Sequence, residues 1–139
     1  MKTTAAFTLI ELLIVLSIVS AITAISVFGA INIKRSVEFK FSVDQVLSDV
    51  KFAQQTASTT MQKCIIKFSA NGNEYSIFKD GTLIKRSAVN KDLGFSGKEY
   101  FCFTASGAAD IGGSGTLIIQ GLSRTKKIIV SSRGRVRIE

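Results

Sequence analysis

Histidine and proline are both absent from this 139-residue chain, and cysteine occurs only twice. Without histidine there is no Ser–His or Cys–His pair to activate a nucleophile. Two thiols alone do not make a four-ligand zinc site. No glycine-rich phosphate loop of the Walker type is present, and the carboxylates are scattered singly. The chain therefore reads as a protein other than an enzyme, with no metal and no cofactor expected. The missing proline removes the strongest helix breaker, so any long helical pattern has no imposed stop. Charge is missing too, from Leu12 through Ile31.

What is present is unevenly distributed. Apolar residues make up 46% of the chain, and much of that lies in the first 31 positions. Eighteen Lys and Arg face ten Asp and Glu, a formal charge of +8. From Gly112 onward six basic residues (Arg124, Lys126, Lys127, Arg133, Arg135, Arg137) stand against one acid, Glu139. Such asymmetry points to an anionic partner, either nucleic acid or lipid headgroups.

Twenty uncharged residues in a helix span roughly 30 Å, about the hydrocarbon thickness of a bilayer. A removed secretory signal and a plain single-span anchor are the bland readings. Lys2 alone is a thin basic region for a signal, and Glu11 stands where an apolar core should begin. Lys2 before the run and Lys34 and Arg35 after it leave orientation undetermined.

MKTTAAFTLIELLIVLSIV resembles the type III signal of type IV pilins and type II secretion pseudopilins. The resemblance implies a leader, Met1–Ala6, removed by a prepilin peptidase, with the apolar run retained. The new terminus would be Phe7, N-methylated, with Glu11 as the fifth residue after cleavage. The leader ends in Ala6 where glycine is commoner. A carboxylate among apolar groups needs a partner or must lose its charge. The resemblance supplies one: the positive amino terminus of a neighbouring pilin subunit, making Glu11 an assembly contact. It also implies a bacterial inner-membrane protein, single-pass with a periplasmic domain, that later enters a pilus or pseudopilus. Many pilins carry a helix-kinking proline at the position of Phe28. Here Gly29 follows instead, and at most a weak bend is expected.

Residues 36–62 place Phe39, Val43, Val46, Leu47, Val50, Ala53, Ala57 and Met61 near a 3.6-residue period. Asp44, Asp49, Lys51 and Gln55 fill the other face. This is an amphipathic helix, either continuing the apolar one to about residue 60 or separated from it near Gly29–Asn32. Beyond Lys63 come short β-branched and aromatic runs, punctuated by Asn71-Gly72 and Asp80-Gly81, both hairpin signals. The stretches around Gly94–Gly97 and over 106–115 read as loops, the second mobile. Six or seven strands with no second helical pattern argue for antiparallel sheets packed on the amphipathic helix. The expected fold is α+β and pilin-like. Its divisions are a leader (1–6), a membrane or filament-core segment (7–31) and a globular domain (32–139) whose β region is 63–139. Cys64 and Cys102 both fall in strands. In an oxidising compartment they would form a disulfide; otherwise they are buried free thiols.

In Arg133-Gly134-Arg135-Val136-Arg137-Ile138 the alternation is strict. As a strand, it would put three arginines on one face, roughly 6.6–7 Å apart, and Val136 and Ile138 on the core. Guanidinium groups bind phosphate oxygens bidentately and hold their charge. Arg124, Lys126 and Lys127 would widen the row, and Gly134 would let a backbone come close. The alternative is a solvated edge strand whose charges prevent edge-to-edge pairing. Few aromatics interleave with these basic residues, so base stacking is unsupported. FTASG, GTLII and KIIVSSRGRVRIE together resemble the end of the GspH/FimT group of minor pilins and pseudopilins. FimT-type members resemble it most, and their Gly-Arg-x-Arg ending implies DNA binding during natural transformation. Gly134, Arg135 and Arg137 fit that motif, and Arg133 adds charge. The competing expectation is a structural H-type pseudopilin of a type II secretion system.

Overall fold

Thr8 opens the helix α1 (Leu9–Thr60) as its amino-terminal cap. The Glu11 amide donates to the Thr8 hydroxyl at 3.3 Å, satisfying one of the donors that a helix start leaves unpaired. Thr8 and Glu11 have the Ser/Thr-x-x-Glu spacing of a capping box. The computed structural model describes residues 8–69, 72–121 and 124–139, without the side chains of 28 and 29. The expected leader Met1–Ala6 and Phe7 lie outside the described residues. Helical backbone runs through 29–32 without a break.

The chain divides into two compact units, Met1–Val37 and Glu38–Glu139. In the first, the described large apolar side chains from Leu9 to Ile33 are exposed. By length and composition this helix is apolar enough to cross a membrane. Four of its hydroxyl side chains are satisfied within the helix. The Ser17, Ser20, Thr23 and Ser26 hydroxyls donate to carbonyls three or four residues back, at 2.7–2.9 Å. Hydroxyls bonded this way suit an apolar environment.

In the second unit the amphipathic pattern is realised. Phe39, Val43, Val46, Val50, Ala53 and Ala57 are buried, and Leu47 packs partly against them. Met61 departs from the pattern: the helix ends at Thr60, Met61 has a positive φ of 55°, and its side chain is exposed. Asp49 departs in the opposite sense. Expected on the polar face, it is only 5% exposed.

Two four-stranded antiparallel sheets complete this unit. The strands are β1 (Cys64–Phe68), β2 (Glu74–Lys79), β3 (Thr82–Ala88), β4 (Gly94–Gly97), β5 (Tyr100–Phe103), β6 (Gly115–Gln120), β7 (Thr125–Val130) and β8 (Val136–Ile138). One sheet has the order β3-β2-β1-β5 and the other β4-β6-β7-β8. At the β2–β3 turn Asp80 and Gly81 both take positive φ, 46° and 82°, as a two-residue hairpin turn requires. β4 replaces an expected loop. Its pairing with β6 makes it a strand, and Phe95 is its buried residue. Phe95 meets Phe68 and Tyr75 of the other sheet at ring-centroid distances of 5.2 and 6.0 Å, joining the two sheets in one core.

The expected disulfide is not formed; both cysteines are free and buried. Register explains why. Cys64 lies opposite Phe103, while Cys102 lies opposite Ile65. A one-residue offset between neighbouring strands puts the two side chains on opposite faces of the sheet. Cys64 joins the core, and the Cys102 thiol meets the Asp110 carboxylate at 3.8 Å. Burial pushes both thiols above their ordinary pKa.

Candidate functional site

Buried Asp49 accepts hydrogen bonds from the Tyr75 hydroxyl at 2.8 Å and the Lys85 ammonium at 2.6 Å. The Ser87 hydroxyl adds a longer contact of 3.5 Å. Burial, then the Asp49 hydrogen bond and charge, drives the Tyr75 phenol far above its usual range. Here a polar residue on the helix meets polar residues on β2 and β3, and the result is structural: a satisfied carboxylate tying α1 to a sheet.

The arginine cluster is different in kind. Only Val136–Ile138 form a strand, so the expected row from 133 to 138 is not one. Residues 131–135 form a turn instead. The Gly134 amide donates to the Ser131 carbonyl at 2.9 Å, and the Ser131 amide to the Arg135 carbonyl at 3.0 Å. The Arg135 amide also donates to the Ser131 hydroxyl at 3.1 Å. Arg133 leaves from the turn, whereas Arg135 and Arg137 flank Val136 on the extended segment. All three are exposed and, with Ser131, Ser132 and Gly134, line one open hollow of about 640 Å³. The turn thus brings the three arginines to one hollow, where a strand would have set them in line.

Gly134 also has a role other than the expected one. It is buried, with φ +81°, and a Cβ there would fall on the Gly107 carbonyl oxygen. The backbone that comes close to it belongs to this chain. A Cβ would also sit 2.7 Å from the Gln54 side-chain nitrogen. That nitrogen, Nε2, donates to the carbonyls of Gly107 at 2.6 Å and Gly134 at 2.8 Å. Reading the sequence missed Gln54. It lies beside buried Ala53, outside the apolar stripe, and no local pattern marks it. The glycine-rich stretch read as mobile is tied down by the bonds Gly107 N–H to Thr104 O (2.8 Å), Thr104 N–H to Ala108 O (2.9 Å) and Ala109 N–H to Ser132 O (3.2 Å).

Strand register sorts the remaining basic residues. Arg137 lies opposite Ile129, and Lys127 is two residues along the same strand, so Lys127 shares the arginine face. Lys126 has the parity of buried Ile128 and belongs to the other face. Lys127 and Glu139 exchange backbone hydrogen bonds of 2.8 and 2.9 Å, which puts the one acid of this segment at the edge of the basic face. Arg124 is exposed at the start of the β7 segment, its carbonyl accepting from the Gly121 amide at 2.8 Å. Glu11 belongs to the first unit and is exposed in the first turn of α1.

A second hollow, about 480 Å³, lies on the outer face of the first sheet and is lined by Lys63, Ile65, Tyr100, Cys102, Asp110 and Ile111, among others. Lys63 and Asp110 pair at 2.5 Å, and this contact holds the Asp110 carboxyl below its usual pKa and the Lys63 ammonium above its own. Among the described residues no group of acidic and cysteine side chains is placed to hold a metal ion.

Residues 1–27 match the family model for the prokaryotic N-terminal methylation motif. No curated protein matches the chain by sequence. The fold is similar to that of the type IV minor pilin FimU from Pseudomonas aeruginosa. The TM-score is 0.63 at 18% identity, over 73% of this chain and 88% of that one. It is also similar to the minor pseudopilin EpsH from the type II secretion system of Vibrio cholerae. That match has a TM-score of 0.60 at 13% identity, over 73% of this chain and 96% of the other. The fold is therefore pilin-like, as expected. Together with the amino-terminal motif, it supports a type IV minor pilin or pseudopilin.

Proposed function

We propose that the chain is a minor type IV pilin that binds DNA non-specifically through Arg133, Arg135 and Arg137, for uptake during natural transformation. The observation that carries this reading is that three exposed arginines line one hollow free of aromatic side chains, with Lys127 on the same sheet face as Arg137. Such a surface binds phosphate by charge and bidentate hydrogen bonding, with no means of reading bases. In this reading a prepilin peptidase cuts after Ala6, Phe7 is methylated, and Glu11 pairs with the amino terminus of another pilin subunit. The subunit begins in the bacterial inner membrane and moves from there into a pilus. The likeness to EpsH fits a second reading equally, a minor pseudopilin of a type II secretion system whose basic tail contacts partner subunits or lipid.

The test uses the full chain in detergent micelles, titrated with labelled DNA from roughly 50 to 200 mM salt. Affinity should fall linearly on a log–log scale. The double variant Arg135→Gln/Arg137→Gln should flatten the slope by about 2, at roughly 0.9 for each phosphate no longer neutralised. Undiminished binding by the double variant removes these arginines from the mechanism. Absence of wild-type binding at low salt leaves the secretion reading.

A further inference from the structure

We infer that Gln54 is the positioning residue of the arginine turn, an inference that rests on the DNA reading above. Its carboxamide nitrogen carries two hydrogens. One goes to the Gly107 carbonyl at 2.6 Å and the other to the Gly134 carbonyl at 2.8 Å. One side chain on α1 thus holds two turns that are far apart in sequence. The turns are also joined directly, by the Ala109 amide on the Ser132 carbonyl at 3.2 Å.

The geometry bears on the arginines through the backbone. Gly134 lies between Arg133 and Arg135, and its carbonyl belongs to the peptide that leads into Arg135. Anchoring that carbonyl sets the orientation of the peptide and the direction in which both side chains leave the turn. Arginine side chains are long and flexible, so the fixed part of the site is where they originate. Fixed origins reduce the ordering cost when phosphate is bound. Gln54 is uncharged and half-buried beneath the turn, so its influence on DNA affinity runs through the arginines it places. Gly134 completes the device, because any side chain there would strike both Gly107 and Gln54.

The variant of choice is Gln54→Met, similar in length but without a donor, in the full chain in detergent micelles. Hydrogen exchange and DNA titration are measured on the same sample. We expect faster exchange at the amides of 131–135 and a DNA affinity roughly 2- to 10-fold lower. Gln54→Lys, whose ammonium keeps donors for both carbonyls, should restore the protection. Tyr75→Phe is the control: it loses a hydrogen bond elsewhere in the fold and should leave the turn's exchange and DNA affinity unchanged. Wild-type DNA affinity in Gln54→Met despite a loosened turn overturns the proposal, as does unchanged exchange at 131–135. So does a free wild-type protein whose 131–135 amides are already unprotected, a measurement that needs no variant. Retained binding in Arg135→Gln/Arg137→Gln is a separate failure, that of the DNA reading itself.

Discussion

Two stretches of one helix use the same backbone geometry to opposite ends. From Leu12 to Ile33 α1 carries no charge, and its described large apolar side chains are exposed. From Glu38 to Thr60 one apolar stripe, Phe39, Val43, Val46, Val50, Ala53 and Ala57, is buried under two sheets, while Phe41 and Phe52 stay exposed. Helical hydrogen bonds are local and form in both stretches. What differs is where the apolar surface goes. The second stretch covers it within the chain, each large aliphatic side chain contributing about 1.5–3 kcal/mol to the fold. The first leaves its described large apolar side chains exposed.

That comparison breaks most sharply at Val50, which is fully buried. Val50→Asp puts an unpaired carboxylate in the core. It should cost more than about 4 kcal/mol, unfolding the globular unit while α1 still partitions into detergent. Loss of the circular-dichroism sheet signal and of the urea transition is the readout, and a retained transition contradicts the assigned core. Tyr75→Phe is milder. It leaves Asp49 short of one donor and should lower stability by about 1–3 kcal/mol in urea denaturation.

The same tyrosine gives an alkaline signature. Its folded pKa is raised, so its contribution is whole below the unfolded value near 10 and is lost as pH rises beyond it. In a Tyr100→Phe background, which leaves Tyr75 as the sole tyrosine, absorbance at alkaline pH should show Tyr75 ionising only as the fold is lost. A phenolate appearing there while the fold persists would contradict the Asp49 bond. The smallest effect on the fold is expected from Glu11→Ala, in the exposed first turn of the other stretch. The urea midpoint should not move, whereas incorporation into filaments should drop, as immunoblots of sheared pili would show. Normal incorporation would refute the assembly role.

Legibility from the sequence followed the range of the forces involved. The α1 stripe Phe39, Val43, Val46, Val50 was readable because periodicity and burial are linked along a single element. The Asp80-Gly81 hairpin was readable because its positive φ angles are a local demand. Asp49 was misread because its partners, Tyr75, Lys85 and Ser87, arrive from distant strands. A carboxylate on a helix looks solvated until those donors are placed. The disulfide between Cys64 and Cys102 failed for a similar reason: it depended on a one-residue register between β1 and β5.

The arginine ending shows both sides. Charge, exposure and the candidate residues were legible in RGRVRIE; their arrangement was not. Alternating residues predicted a row, but Ser131 and Gly134 close a turn that takes Arg133 out of the strand. Lys126 and Lys127 are adjacent in sequence, and only the pairing of β7 with β8 puts Lys127 beside the arginines and Lys126 on the other face.

By itself the sequence determined the order of elements, and the class came from the resemblance of its first residues to the pilin signal. An apolar run with one carboxylate near its start, followed by an amphipathic helix and β-rich segments, is a pattern of local composition and period. The tertiary structure alone decided which groups meet. Gln54 reaches Gly134 because packing brings a helix and two turns within hydrogen-bond range. Such contacts depend on ångström-level distances between segments far apart in the chain, and local sequence patterns do not encode those distances.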